Sequence, residues 1–493
     1  MRRDSLKALY DVHSWVGLFL GLALYVLLFS GSVALFVAEL RPWELGVTKG
    51  NGALPVAALE RVVAQEERFR AASFSIRPAS YYRPWIVVET GHNHDGQRDL
   101  RHYDPFTGES VTVAAEHVVQ VLERLHTDLL LPSPWGRYPT GLLGVAMLVS
   151  LLTGVFMHRK IFREMWSIRL WRSQRLRWTD LHKAVAVWGL PYHLVMAFSG
   201  TYLGLVGVTL LLNAFVAFGG DVDAASEGIA GAPHERVGEA AAMLPVTELI
   251  SRAKAVLPGL EPEYLGYQHY GDRGATLMIL GTLPRTLEYY PGVTLSAVDG
   301  QLLDTINWRR ESWPKALYAM MTPLHYGAYG GLLLKTLYAL LGLGASFLVL
   351  SGLRIWQLRV HTGRRDWRRP LFDGVCYGLP LAIAVSLLSA RLLTTPVFAS
   401  YEGRLLLFLL VWLIAIVVAW WRRGKAVGAE LCIAAGAALL LLPFATELGG
   451  RASLLAALRD TPTSPLLVAE MVLVAIGLVT VVTGWLVRRQ RAR

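Results

Sequence analysis

Apolar runs long enough to cross a lipid bilayer recur along this chain, at about residues 14–39, 137–157, 184–212, 330–356, 373–392, 404–421, 427–445 and 466–487. A helix rises 1.5 Å per residue and the hydrocarbon core is ~30 Å thick, so roughly 20 apolar residues span it. Within lipid every backbone N–H and C=O must be satisfied inside its own segment, which makes such runs helices. The expected fold is therefore an all-α polytopic membrane protein with about eight transmembrane helices, carrying two α+β domains outside the bilayer. Composition agrees, since only 17% of the 493 residues are charged, against about a quarter in soluble domains.

The net charge of +11 has a topological explanation. Arg2, Arg3 and Lys7 precede the first run, and Arg159, Lys160, Arg163, Arg169, Arg172, Arg175 and Arg177 lie between the second and third. Arg354, Arg359, Arg364, Arg365, Arg368 and Arg369 follow the fourth, Arg422, Arg423 and Lys425 the sixth, and Arg488, Arg489, Arg491 and Arg493 the last. Every second loop is basic, which places both termini in the cytoplasm and makes the lipid bilayer, with no nucleic acid, the partner of this charge. The first run has no small-residue cleavage site behind it and reads as a retained helix. Cys376 and Cys432 lie in different apolar runs, indicating neither a disulfide framework nor a thiolate metal site. There is no Walker loop, and Gly342-x-Gly344 falls inside a span, so no nucleotide site is expected.

Two long segments, about 40–135 and 213–329, remain on the opposite side. Leu54-Pro55-Val56 and Leu244-Pro245-Val246 each open an amphipathic helical stretch. Trp85-Ile86-Val87-Val88 reads as a strand, followed by a second strand and a turn within Tyr103 to Gly108. Ala275 to Gly281 and Thr286 to Ala297 read as strands, turning at Asp299-Gly300. Each segment returns to the membrane through Leu-His, at Leu125-His126 and Leu324-His325, with Thr153-Gly154 and Ser351-Gly352 some 26 to 28 residues further on. Phe29-Ser30-Gly31 and Phe198-Ser199-Gly200 likewise begin 16 residues after His13 and His182. The first 360 residues are thus a tandem repeat, and a repeat of this kind pairs equivalent positions across an axis. The division is a first helix (1–39), an outer domain (40–135), helices two and three with a basic loop (136–212), a second outer domain (213–329), a fourth helix and basic loop (330–370), and a four-helix extension (371–493).

Histidines are the chemistry-bearing residues of this pattern. His13, His158 and His182 fall at cytoplasmic ends of spans, His193 lies near the middle of the third, and His126 and His325 stand at outer ends. Ionisable groups inside a span are costly and face a partner or cofactor. Neutral imidazole is the usual axial ligand of haem iron, and two at equal depth on different helices hold one macrocycle. Depth pairs His13 with His182 inside and His126 with His325 outside, as haem-iron ligands. His158 reads as an interfacial anchor or a haem-propionate contact, and His193 as a ligand to a deeper haem or a buried hydrogen-bonding group. His92-Asn93-His94 reads as a solvated hairpin, with His102 and His117 in the same outer domain, and the pattern assigns no role to His234, His269 and His361. Zinc is disfavoured because no thiolate or carboxylate stands at ligand spacing.

With these residues in view, the chain resembles the PepSY-associated transmembrane helix family, bacterial inner-membrane proteins that include ferric-siderophore reductases. The residues that carry the likeness are His13-Ser14-Trp15-Val16-Gly17, Tyr103-Asp104-Pro105-Phe106-Thr107-Gly108-Glu109, Leu125-His126, Thr153 to Phe162, Asp180-Leu181-His182, Leu190-Pro191-Tyr192-His193-Leu194 and Pro323-Leu324-His325-Tyr326-Gly327. The resemblance implies that the outer segments are periplasmic PepSY-like domains, that membrane histidines hold haem b, two by the count of pairs, and that electrons cross the inner membrane to a periplasmic iron complex. Some relatives carry a fused flavin reductase domain that this chain lacks, so the donor is a separate flavoprotein reductase or quinol.

The leading expectation is thus an oxidoreductase delivering electrons to a ferric siderophore or other ferric chelate. Tyr81, Tyr82, Arg83, Trp85, Tyr289 and Tyr290 are candidate chelate contacts. A second expectation, in a different class, is a non-catalytic membrane protein that binds or regulates a periplasmic partner; a quinone-linked electron carrier is a third. A transporter is disfavoured because acidic ion-coupling residues are nearly absent from the spans.

Overall fold

The structure, a computed structural model, describes residues 3–48, 56–65, 73–92, 98–113, 116–158, 160–169, 171, 173–222, 225, 235–284, 286–287, 290–307, 313–359, 367–393, 395–423, 426–450 and 452–492. The chain divides into two compact units. A helical unit comprises Met1–Thr48, Ala115–Leu205 and Leu332–Arg493, and a sheet unit comprises Lys49–Ala114 and Val206–Gly331.

Among the described residues six helices are long and apolar enough to cross a membrane, or up to eight if two broken pairs each count as one span. The run read as one helix at 14–39 is broken. Arg3–Phe19 and Gly21–Ala34 meet at a 68° bend, and Val37–Leu45 follows. Glycines at 17 and 21 flank that bend, and glycine lowers the cost of leaving helical geometry. The run at 184–212 is also divided. A helix at Gln174–Trp188 ends at Gly189, and Leu190–Gly204 starts with Pro191 in its first turn. Proline has no N–H to donate there, so it suits a helix start better than a helix interior. Hydropathy averages over such breaks, which is why the sequence shows two continuous spans.

Close helix packing in this unit uses missing side chains. Arg137–Met157 and Leu190–Gly204 approach at Gly141 and Gly204, where a Cβ added to Gly204 would stand 2.6 Å from the Gly141 backbone. Within the C-terminal third, Arg368–Leu392 packs on Tyr401–Arg422 and Val427–Leu440, around Cys376, Leu379, Leu387 and Phe408. This third is joined to the end of the first span by buried polar groups. The Trp43 indole N–H donates to Glu470, Thr446 donates to the same carboxylate at 3.0 Å, and Arg391 lies over the Trp43 ring and donates to its carbonyl.

The sheet unit changes the picture of two separate outer domains. Its eight strands are Phe74–Arg77 (β1), Ile86–His92 (β2), Arg98–Tyr103 (β3), Ser110–Val111 (β4), Glu261–Gln268 (β5), Thr276–Thr282 (β6), Gly292–Ser296 (β7) and Leu302–Ile306 (β8). They form one antiparallel sheet in the order β4-β3-β2-β1-β5-β6-β7-β8. The halves join through β1 and β5, with Phe74 opposite Tyr267 and Ile76 opposite Leu265. Four strands alone would leave β1 and β5 as open edges, and pairing them satisfies both rows of backbone groups. The helices Val56–Gln65 and Val246–Val256 cover one face, burying Leu59, Val62, Leu249 and Ile250 with Ile76, Val88, Leu265, Leu277 and Ile279 in one core.

Candidate cofactor-binding site

The helical unit contains a cavity of about 300 Å³ lined by His13, His158, His182, Lys183, Gly17 and Arg359, among others. Its two principal imidazoles come from different helices. His13 projects from Arg3–Phe19 and His182 from Gln174–Trp188. Their ring centroids are 6.4 Å apart and their planes 85° from parallel. Metal–imidazole bonds of ~2 Å on either side of a single ion put two ring centroids ~6 Å apart. The observed separation therefore admits one metal ion between them.

Hydrogen bonding decides which ring nitrogen is available. His13 Nδ1 lies 2.9 Å from the Ser150 carbonyl and 3.3 Å from Thr153 Oγ1. Thr153 already donates its own proton to the Val149 carbonyl at 2.7 Å, so its oxygen accepts from the ring. His182 Nδ1 lies 2.8 Å from Ser351 Oγ, which donates to the Leu348 carbonyl at 3.0 Å. In both rings the proton belongs on Nδ1, and Nε2 keeps a lone pair. That is the arrangement of a metal-binding histidine whose other nitrogen is fixed by a second partner.

Glycines lie beside both rings. A Cβ on Gly154 would meet His13 Cε1 at 3.4 Å, and one on Gly352 would meet His182 Cε1 at 3.6 Å, both ordinary contacts. Gly17 lines the cavity one helical turn past His13, and a Cβ there would meet nothing within 4 Å. The site is cationic at its rim. Lys183, largely buried, stands 3.5 Å from Asp180 and 3.6 Å from Glu164. Arg359 lies over the Tyr10 ring. Asp180 in turn receives both guanidinium arms of Arg169 at 2.8 Å and its backbone N–H at 3.1 Å. These bonds, the guanidinium first, hold the Asp180 carboxyl below the usual range, and they anchor the start of the His182 helix.

The residues present fit a haem. Two imidazoles with Nε2 available could hold its iron, Gly17 leaves space between the helices, and Lys183, His158 and Arg359 would suit the two carboxylates of its edge. A bare ion needs more donors than two, and among the described residues no three His, Cys, Asp or Glu side chains converge.

The other sequence-flagged histidines are distributed as follows. His158 follows the last residue of Arg137–Met157 and is exposed at the cavity rim. Burial, followed by the Lys183 charge, lowers its pKa. His126 donates its Nδ1–H to the Leu27 carbonyl, 3.0 Å away, and its ring rests on Gly31. His193 is fully buried on Leu190–Gly204, over Gly189, and neither ring nitrogen reaches hydrogen-bonding geometry. His325 belongs to the sheet unit and lies edge-on to Tyr326. His94, His234, His361 and Tyr289 lie outside the described residues.

Tyr81 and Tyr82 occupy the tip of the β1–β2 turn, edge to face at 5.0 Å, above the paired backbones of Ser80 and Arg83. Trp85 follows, half-buried. Tyr290, from the second half of the sheet, is close enough to Glu263, Arg83 and Arg77 for their charges to act on it, and burial first of all raises its phenol. Sequence reasoning flagged the histidines but gave Thr153 and Ser351 no role, although their recurrence before glycine was the available signal.

Residues 10–359 match the family described as "PepSY-associated TM region". The chain is also similar to an uncharacterised protein of Pseudomonas aeruginosa, PA4219, with 31% identity over 310 residues covering 60% of this chain and 77% of the relative.

Proposed function

The chain belongs to the PepSY-associated transmembrane family, and from that premise we propose that it is a haem-carrying membrane oxidoreductase delivering electrons to a ferric siderophore. The observation that carries this reading is the His13–His182 pair, 6.4 Å apart across a cavity, with each Nδ1 held by a partner. Bound haem b supplies a one-electron Fe(III)/Fe(II) couple.

What the chain's residues do follows from their positions. His13 and His182 would hold the haem iron through Nε2, and Lys183, His158 and Arg359 would hold the carboxylates of its edge. The contribution of the chain is then positioning and redox tuning. By the sequence repeat, His126 is the ligand proposed for a second, outer haem. The donor is a separate flavoprotein reductase or quinol. One electron reduces one chelated Fe(III) to Fe(II), and anionic oxygen donors attract the lower charge less strongly, so the iron is released.

The basic loops support a bacterial inner-membrane location with both termini cytoplasmic and the sheet unit, as a fused pair of PepSY-like halves, in the periplasm. Tyr81, Tyr82, Arg83 and Tyr290 are then the candidate chelate contacts. Reporter fusions after Trp43, Phe218 and Ser453 read as periplasmic under this topology, and a cytoplasmic signal at any of them contradicts it.

The deciding experiment is spectroscopy of protein purified from cells supplied with haem. A Soret band that shifts on reduction, about two haems per chain, and loss of about half the haem in His13→Ala and in His182→Ala are expected. Reduced protein mixed anaerobically with ferric siderophores is expected to reoxidise while Fe(II) appears in a ferrozine trap. Colourless protein refutes the haem reading and favours partner binding. Haem that is reoxidised by quinone but by no ferric chelate refutes the siderophore assignment.

A further inference from the structure

We propose that Ser351 and Thr153 are positioning residues that set the redox potential of the inner haem, and that they do so unequally. The inference rests on the haem reading above and assigns a function to a repeated dipeptide which that reading leaves unused. In each half of the repeat a hydroxyl residue followed by glycine sits beneath a histidine from the preceding helix. Thr153-Gly154 lies under His13, and Ser351-Gly352 lies under His182. The glycine lies beside the ring, and the hydroxyl meets its Nδ1.

The two supports differ in strength. His13 Nδ1 faces the Ser150 carbonyl at 2.9 Å, with Thr153 Oγ1 further off at 3.3 Å. Removing the threonine hydroxyl leaves the carbonyl, the stronger acceptor, in place. His182 Nδ1 faces Ser351 Oγ at 2.8 Å, and that hydroxyl passes its own proton to the Leu348 carbonyl. Ser351 is therefore the close hydrogen-bonded contact of the His182 ring, with the Leu348 carbonyl behind it acting on the ring as well. An acceptor on Nδ1–H makes the opposite nitrogen more basic, and a more basic ligand stabilises the oxidised metal. Removing the Ser351 hydroxyl weakens that donation and favours the reduced haem.

The test is a potentiometric titration of the full-length protein, with low-temperature electron paramagnetic resonance on the same samples. Ser351→Ala is expected to shift the equilibrium of one haem toward the reduced form by about tenfold, which is about 59 mV upward for a one-electron couple. Its resonance signature shifts with it, while the second haem stays where it was. Thr153→Val, which keeps the shape and loses the hydroxyl, moves its haem by less than half as much. Ser351→Thr restores the wild-type potential, which separates the hydroxyl from packing. If Ser351→Ala and Thr153→Val leave both potentials unchanged in protein that holds its haems, the inference fails and the haem reading stands. It fails equally if Thr153→Val has the larger effect. A wild-type protein that binds no haem overturns both. Should Ser351→Ala not assemble, the Ser351→Cys variant, with a weaker acceptor, is expected to give an intermediate upward shift, and its absence refutes the inference.

Discussion

Gly31→Ala places one methyl group under one histidine and so tests the proposed outer haem site without altering its proposed ligand, His126. In the native structure the His126 ring rests on the Gly31 backbone. A Cβ there would stand 2.7 Å from Cε1 and 3.0 Å from Nδ1, and real Cβ contacts rarely fall below 3.4 Å. The ring must therefore retreat by about 0.7 Å, the difference between 3.4 and 2.7 Å. Its bond to the Leu27 carbonyl, 3.0 Å in the native protein, lies on the same helix and lengthens or bends in consequence. Metal–ligand distances tolerate only about ±0.2 Å, so a ligand displaced this far releases its metal or strains the bond. The overpacking itself costs about 1–3 kcal/mol, which a folded membrane domain survives. Gly154→Ala is the control, because its Cβ would meet His13 Cε1 at an acceptable 3.4 Å. Pyridine haemochrome analysis is expected to give about one haem per chain for Gly31→Ala and two for Gly154→Ala, with both proteins eluting as the wild type does. Two haems with unchanged spectra in Gly31→Ala would refute the argument, since His126 would then be either not a ligand or free to move.

Packing and acid sensitivity can be tested elsewhere in the chain. Gly204→Ala introduces a Cβ 2.6 Å from the Gly141 backbone, with no flexible side chain to yield, and is expected to lower stability by about 1–3 kcal/mol in a thermal-shift assay; Gly344→Ala, whose Cβ would meet Val185 at an ordinary 3.5 Å, is the neutral comparison. Asp272 accepts backbone N–H groups from Gly274 at 2.8 Å, Val237 at 2.9 Å and Gly238 at 2.7 Å, and these bonds, Gly274 first, lower its pKa. Its folded pKa being below the unfolded one, its contribution is present above the ordinary carboxylate range of about 4 and is lost as pH falls through the folded value. Asp272→Asn is therefore expected to destabilise the sheet unit at neutral pH and to flatten its loss of stability toward acid, measured by protease resistance across pH; an unchanged profile counts against this account. Glu470→Leu removes the acceptor shared by Trp43 and Thr446 and is expected to lower the yield of folded protein, since it orphans two buried donors; a wild-type yield and melting temperature would show that this polar tie is dispensable.

What the sequence made legible follows a physical rule. Span 137–157 coincides with the helix Arg137–Met157, because a continuous apolar run with no internal break has one way to satisfy its backbone. The bend at Leu20 escaped, since hydropathy carries no information on helix direction. Strands β2 and β6 were visible in Ile86-Val87-Val88 and in Ala275 to Gly281. Strand β5, Glu261–Gln268, was not, because its proline, glycine and glutamates disguise a segment that owes its conformation to β1 and β6 on either side. The union of two distant segments in one sheet was invisible for the same reason. Pairing between distant segments is a property of edges, and edges exist only once strands do. At the cavity, His13 and His182 could be paired by depth alone, whereas their supports at Ser150, Thr153 and Ser351 required knowing which helix lies behind each ring.

The repeat explains why the two imidazoles of the cavity cannot be obtained from half of the chain. In the first half, His13 and its support Thr153-Gly154 come from consecutive spans, and in the second, His182 and Ser351-Gly352 do the same. Each half thus builds one fixed, singly available imidazole, its proton already placed on Nδ1. On the proposed haem reading, one such imidazole would hold the iron weakly, and two halves with similar local designs would supply the pair. The supports differ in their nearest contact, a carbonyl ahead of threonine in one half and serine ahead of a carbonyl in the other, and such a difference is what a repeat can acquire once both copies are in place.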